Sequence, residues 1–542
     1  MIQIDRRSLL KVGTLGAGAL LLPGAVQPLI AARGFTHNVA SGEPGPRQVM
    51  LWTRYVPARG DQARLGVQVA TDPDFRQLVG EGSALASAER DYTVKPVIGG
   101  LPSGRWLYYR FTDAAGRHSP TGRTRTLPEG PVEKFKLGIF SCSNLPFGYF
   151  NAYGHAAARD DLDLIFHLGD YLYEYPRGNY PSMADAVADR SINPAGETIA
   201  LADYRLRYAA YRSDPDLQEL HRRFPMVMMW DDHESANNSW QGGAENHDEG
   251  EGDWATRKAI AMRACREWLP VSEANWTSYE VGDLATIFRP ETRLVGRSEQ
   301  LDMAAVLAGA QPGEIPARLA AFRDGPWQDP NRSLLGREQE AWLEAGIRAS
   351  AGAGKTWQVL AQQVIMGSVK QPPQVAAIAA SLPPSLRRVV EVGAAAAQAG
   401  LPMSMDMWDG YPAARARLLR AVQAADANLV VLAGDSHNAW AFDLDHDGRP
   451  AGVEFAGQSV TSPGFEGYLR QVPPPVVANL LVGANPQLKW AETSRRGYLT
   501  LELTPARATG EFLFLGTIRE RSHAIAERKA LSVMHGAKRL IA

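Results

Sequence analysis

The chain has 542 residues, with 57 Lys and Arg against 59 Asp and Glu (net charge −2), 45% apolar and 21% charged residues, and two cysteines. That length holds one large or two unequal domains with a real core. The apolar content excludes a disordered chain, the charge balance speaks against a nucleic-acid surface, and two cysteines exclude a disulfide framework.

Residues 1–32 read as an export segment. Asp5-Arg6-Arg7-Ser8 precedes a Gly- and Ala-rich apolar run over 12–30 that ends in Ala31-Ala32. A basic start, an apolar middle and small residues at the end form a cleavable signal, and the paired arginines resemble the twin-arginine type. The expectation is a periplasmic or secreted protein that engages the twin-arginine export machinery. That route carries folded proteins, so a cofactor loaded before export is expected. No later stretch reaches 18 apolar residues without charges, so no transmembrane segment is expected in the mature protein.

Residues 33–128 alternate short strands with turn residues (48–55, 63–70, 93–98, 106–112, 122–127), which predicts a β-sandwich. A linker over 128–133 comes next. From 134 to 520 the pattern changes to short apolar runs at 134–140, 162–168, 225–230, 356–362 and 428–433. Helical stretches at 203–212, 256–268, 339–349 and 413–424 lie between them. Strands alternating with helices predict an α/β catalytic domain. Runs at 453–455, 498–503 and 508–514 read as antiparallel additions, and 242–253 and 371–400 as loop or lid insertions. A last helix is expected at 524–540, within a terminal unit of residues 521–542.

The residues just after each buried run carry the chemistry. KFKLGIF leads into Ser141-Cys142-Ser143-Asn144, and LDLIFHL into Gly169-Asp170-Tyr171-Leu172-Tyr173-Glu174. PMVMMW leads into Asp231-Asp232-His233-Glu234, with Asn237-Asn238 beyond, and NLVVLA into Gly434-Asp435-Ser436-His437. In open α/β sheets ligands bind at the carboxyl ends of strands, so these four ends can converge on one site. Oxygen donors suit hard cations, whereas thiolate, phenolate and imidazole favour transition metals. A mixed set therefore points to two unlike ions sharing a carboxylate, with Asp170 the natural bridge. Paired ions are the usual arrangement for cleaving phosphate esters.

Other residues have plainer readings. Cys265 sits inside a helix, and His155, His167 and His221 read as structural or surface residues. The alternating aspartates of DLDHDG (443–448) lack a correctly spaced glutamate for a calcium loop and predict a hairpin turn. There is no phosphate-binding glycine loop and no G-x-S-x-G nucleophile elbow.

With these residues in view, the chain resembles the PhoD-like alkaline phosphatases and phosphodiesterases. The resemblance rests on ordered blocks: HNVASGEPGPRQVMLWTR (37–54), FSCSN (140–144), HLGDYLYEY (167–175), WDDHESANN (230–238), WDGYPAAR (408–415), LAGDSHNAWAFDL (432–444) and EFAGQSVTSPG (454–464). It implies an αββα metallophosphatase core behind an N-terminal β-sandwich, with Fe3+ and one or two Ca2+. It implies iron ligands Cys142, Asp170, Tyr173 and His437, and calcium held by Asp170, Asn238 and Asp435 with Asp231 or Asp232 close by. His233 is implied as a phosphate-contacting or proton-donating group. Arg257, in the first turn of the helix after WDDHE, is expected to pair with phosphate. IFRPETR (287–293) departs from the family's LDTR and keeps only the Thr-Arg ending.

The expected function is hydrolysis of small phosphate mono- and diesters at a binuclear iron–calcium site, by attack of a metal-bound hydroxide or oxide. One alternative is a phosphodiesterase or phospholipase-like enzyme with little monoesterase action. Another is an exported binding protein that uses metals for structure.

Overall fold

The structure is a computed structural model that describes residues 32–311, 313–375 and 384–541. The expected export segment lies outside the described residues except for Ala32. No helix among the described residues is long and apolar enough to cross a membrane.

The N-terminal part is a β-sandwich of two four-stranded sheets. In one, Gly34–Gly42, Gln48–Val56 and Thr93–Val94 pair in that order and Val97–Gly99 pairs with the second. In the other, the order is Leu78–Ser87, Gln62–Ala70, Trp106–Thr112 and Gly122–Arg125. Val49, Leu51, Leu65, Val67, Leu107 and Tyr109 fill the space between them. The sandwich is tied to the rest of the molecule by Trp52, whose Nε1 donates to the Glu267 carbonyl at 2.8 Å.

Behind it, two seven-stranded mixed sheets lie face to face. The first runs Met226–Met228, Leu164–His167, Phe135–Phe140, Gly497–Leu503, Arg507–Leu515, Ile525–Met534 and Leu540–Ile541. The second runs Thr277–Val281, Ala285–Arg289, Trp357–Ala361, Leu429–Ala433, Arg449–Ala456, Ala439–His446 and Leu488–Glu492. Alternate residues explain the layering. Leu137, Ile139, Leu164 and Phe166 meet Val359, Val430, Leu432 and Phe455 between the sheets. Phe140 and Ile165 face helices Asn151–Ala157, Leu201–Tyr211, Pro215–Arg223 and Trp254–Trp268. Leu360 and Val431 face helices Arg337–Gly352 and Pro412–Ala424 on the other side. Strands buried on both faces need apolar residues at every position, which is why they read as continuous runs in the sequence.

Two expectations are corrected. The 524–540 segment is not a helix but the strand Ile525–Met534, antiparallel to Arg507–Leu515, and then the short strand Leu540–Ile541, antiparallel to Ile525–Met534. Its apolar residues alternate, so Leu531 and Val533 both enter the inter-sheet core, which a helix would not allow. The 453–455 run is likewise not a purely antiparallel addition. Arg449–Ala456 lies parallel to Leu429–Ala433 and antiparallel only to its hairpin partner Ala439–His446. DLDHDG spans the turn of that hairpin, as expected. The 371–400 insertion also carries a helix, Pro384–Gln398.

His155 anchors the first helical layer, its Nδ1 2.7 Å from the Tyr498 hydroxyl, which also accepts from Arg159 at 3.1 Å. Burial, and then the Arg159 charge, push His155 down to about 4. The unfolded chain protonates near 6.5 while the folded one stays neutral, so this contribution is complete above pH 6.5 and is lost as the pH falls toward 4. Urea melts should therefore show lower stability at pH 5 than at pH 7.5. His155→Gln should shrink that difference, with the effect developing as the pH falls below 6.5. An unchanged difference would remove His155 as a contributor.

Candidate metal centre

The four predicted strand ends meet at one edge of the two sheets. The backbone turns sharply there: Cys142, Asp170, Asp435 and His437 have φ of 58°, 54°, 59° and 62°, and Asn238 has 49°. Left-handed non-glycine residues are costly and cluster where a site over-determines them. Two glycines allow the loops to touch. A Cβ on Gly169 (φ 104°) would lie 2.4 Å from the Asp231 Cβ, and one on Gly434 would lie 2.6 Å from the Ser141 Cβ.

Three overlapping groups of ligand atoms result: Cys142, Asp170 and His437; Asp170, Asp232 and His233; and Asp231, Asp232 and Asp435. Within each, the donor atoms lie within 4.8 Å of one another. Asp170 belongs to the first two groups. The Tyr173 hydroxyl is 3.2 Å from Asp170 Oδ2 and 3.2 Å from His437 Nε2, and accepts from Ser462 at 2.8 Å. His437 Nδ1 is 2.9 Å from the Pro463 carbonyl. A carbonyl only accepts, so Nδ1 carries the proton and the Nε2 lone pair faces the cluster, the tautomer a metal ligand needs. Burial keeps this ring neutral, its pKa pushed down to about 3.

The cluster is short of positive charge. Burial pushes the Cys142 thiol well up and the Asp170 carboxylate beside it adds to that. Burial also raises Asp170 and Asp231, reinforced by neighbouring carboxylates, and pushes Asp435 up to about 6. Asp170 Oδ1 and Asp231 Oδ2 are buried with no hydrogen-bond partner. Orphaned acceptors amid crowded carboxylates are what cations would satisfy. The donors therefore fit a soft-ligand site next to an oxygen-rich one.

Arg293 escaped the sequence reading, and so did the partners of several residues that it named. Arg293, fully buried, donates through Nε to Asp231, and through its terminal nitrogens to Asp406 at 2.8 Å and Asp435 at 2.9 Å. It ends the IFRPETR segment, whose retained Thr-Arg pair was the available clue. Glu174 accepts from His233 Nδ1 at 2.7 Å, Asn237 N at 2.8 Å and Asn246 Nδ2 at 2.7 Å. Burial alone would depress His233, but Asp232, Glu174 and Asp170 raise it well above its ordinary value, so the ring is charged. It stacks on Tyr173 with centroids 4.2 Å apart. Asn238 lines a polar cavity together with Asp170, Asp232, His233, Asp435 and His437, its amide nitrogen donating to Glu245 and its backbone N–H to Asp232 at 2.7 Å.

Arg257 is a correction. It is buried away from this cavity and bonded to Glu197 at 2.8 Å, Glu251 at 2.7 Å and the Tyr204 hydroxyl at 3.2 Å, so its charge is spent on bracing the Trp254–Trp268 helix. Arg257 is not among the residues that line the cavity. Cys265 is buried in the same helix and free, as is Cys142.

Glu234 ties two ligand loops together. Its carboxylate accepts from the backbone N–H of Asp170 (3.1 Å), Tyr171 (2.6 Å) and Asp231 (2.7 Å). Glu234→Gln would aim an amide N–H at one of those donors. Metal affinity should fall about 10- to 100-fold, the usual cost of disturbing a ligand's support, as read by competitive chelator titration. Unchanged affinity would contradict the tie.

Comparison with known proteins agrees with this geometry. The model of the PhoD-like phosphatase domain matches residues 137–512, and that of the PhoD-like phosphatase N-terminal domain matches residues 24–128. The chain belongs to the PhoD-like phosphatase family. It is 32% identical over 525 residues to alkaline phosphatase D of Bacillus subtilis (strain 168), covering 92% of this chain and 81% of that one. A solved structure described as that of PhoD superposes with a TM-score of 0.76 at 30% identity, covering 94% of this chain and 92% of the other. The protein is thus a phosphatase with an α/β fold and a β-rich N-terminal domain.

Proposed function

We propose that this phosphatase cleaves small phosphate mono- and diesters at a two-cation centre and does so after export. The observation that carries the reading is Asp170, a member of two adjacent ligand groups with a buried oxygen left unpaired. Cys142, Asp170, Tyr173 and His437 would hold iron, as thiol, phenol and imidazole favour a transition metal. Asp170, Asp231, Asp232, Asn238 and Asp435 offer the oxygens calcium prefers. Bound there, the cations would supply Lewis acidity toward the phosphoryl oxygens and acidify water.

The chain's own residues set the rest. Asp170, Asp232, His233, Asn238, Asp435 and His437 line a cavity of about 420 Å³, ample for a phosphoryl group. His233, kept charged by Asp232 and Glu174, would attract the phosphate and offer a proton to the departing oxygen. Arg293 donates to both Asp231 and Asp435 and offsets their charge. The paired arginines at 6 and 7 support the export reading.

Purified protein should release nitrophenolate from both 4-nitrophenyl phosphate and bis(4-nitrophenyl) phosphate. Exhaustive chelation should lower both rates at least about 100-fold, reversed by adding iron and calcium. Full activity in chelated, metal-free protein would overturn the two-cation reading.

A further inference from the structure

A second cavity adjoins the polar one. It measures about 770 Å³, within the usual range for a small-molecule site. Ser404 and Tyr468 line both cavities, and Ser436, between Asp435 and His437, lines the larger. Its walls are apolar. Met403, Met405 and Met407 form one side, Leu480 of the Pro474–Ala484 helix and Val392 of the Pro384–Gln398 helix two others, and Trp440 a fourth. Most of the polar side chains at its wall are engaged within the protein; the Tyr468 hydroxyl at the junction is the exception. Gln371 donates to the Val390 carbonyl (2.7 Å), and Asn438 donates to the Ser436 carbonyl (2.6 Å) and accepts from Phe465 N (3.1 Å). Asp302 caps Ala304 N at 2.7 Å, and Trp440 Nε1 is bonded to the Ser436 hydroxyl at 2.8 Å. Tyr468, at the junction of the two cavities, is 48% exposed.

We propose that this cavity seats an aliphatic chain carried by the phosphate ester, so that the preferred substrates are amphiphilic alkyl phosphate esters. The inference rests on the phosphate-ester reading of the adjoining polar cavity. A polar pocket suited to an anionic head opens beside an apolar one, and only an occupant with both characters fills the pair. A sugar or nucleoside needs hydrogen-bond partners for its hydroxyls and base edges, and most of the wall's polar side chains are already bonded within the protein. Unbranched, adaptable methionines suit a flexible chain better than a rigid ring.

Alkylphosphonates, which carry the anionic head but no cleavable ester, test this through inhibition of 4-nitrophenyl phosphate hydrolysis by the metal-loaded enzyme. Each methylene buried contributes up to about four-fold in affinity. The inhibition constant should therefore fall at least about 100-fold from methyl- to octylphosphonate, with all compounds kept monomeric. Leu480→Glu and Val392→Glu lie on different walls at half-buried positions remote in sequence from the ligand loops. Each should weaken octylphosphonate at least about ten-fold and leave methylphosphonate unchanged, the latter also showing that the variant is folded. A flat series in the unmodified enzyme, or a series equally steep in both variants, overturns the apolar subsite alone. Failure of methylphosphonate to inhibit overturns the phosphate site, and the subsite with it.

Discussion

Asp170→Asn is expected to lower hydrolysis of 4-nitrophenyl phosphate on the order of 10³-fold while the protein stays folded. The side chain joins the Cys142–His437 group to the Asp232–His233 group, and its Oδ1 is buried without a partner. An amide keeps the volume but loses the charge and one acceptor, so it cannot bind two cations at once. Metal catalysis contributes several kcal/mol, and about 4 kcal/mol corresponds to 10³ in rate. The check is kcat/KM together with the metal content of the same sample. Both should fall, with an unchanged circular dichroism spectrum. A variant with full metal and full activity would show that Asp170 only caps its loop.

Arg293→Met should give the largest stability loss. The guanidinium is wholly buried, bonded to Asp231, Asp406 and Asp435, with Asp232 at 3.9 Å. Burial opposes its charge, but Asp231 and Asp406 hold its pKa well above the ordinary value, so it stays cationic. Removing one partner of a buried ion pair leaves uncompensated charge and costs about 3–5 kcal/mol. Denaturant unfolding in chelator should show a loss of that size. Calcium should recover part of it, because a cation among Asp231, Asp232 and Asp435 replaces the lost charge. A loss below about 1 kcal/mol would place Arg293 outside the electrostatic framework.

The contrast between these residues shows what the sequence could reveal. Asp170 was legible because an apolar strand buried on both faces ends abruptly in ionisable residues, and four such strands end at the same edge. Arg293 lies four residues past the buried strand Ala285–Arg289, a run that the sequence reading did not single out, and Asp406 follows no such run. They reach the site from irregular segments, and only the tertiary structure brings them to Asp231. Glu174 and Glu234 sat inside the motifs, yet their part depends on which backbone N–H groups face them, which spacing does not encode. Arg257 misled for the same reason: a first-turn arginine near the motif looks like a phosphate ligand until Glu197 and Glu251 are seen to hold it.

The fold divides along similar lines. The strands at 106–112 and 357–361 were readable from their residues. The sandwich strand Leu78–Ser87 was not, because it is an edge strand of small residues in which only Ala86 is buried. The final strand was expected as a helix, but Leu531 and Val533 are two residues apart, and both enter the inter-sheet core as strand residues do.

Metal analysis of the freshly purified protein, with its visible spectrum, tests the two-cation centre most directly. Cys142 and Tyr173 beside His437 predict iron near one per chain with calcium present as well, and a violet-to-purple charge-transfer band that fades on reduction or chelation together with activity. A colourless, iron- and calcium-free protein that cleaves phosphate esters at full rate would contradict it.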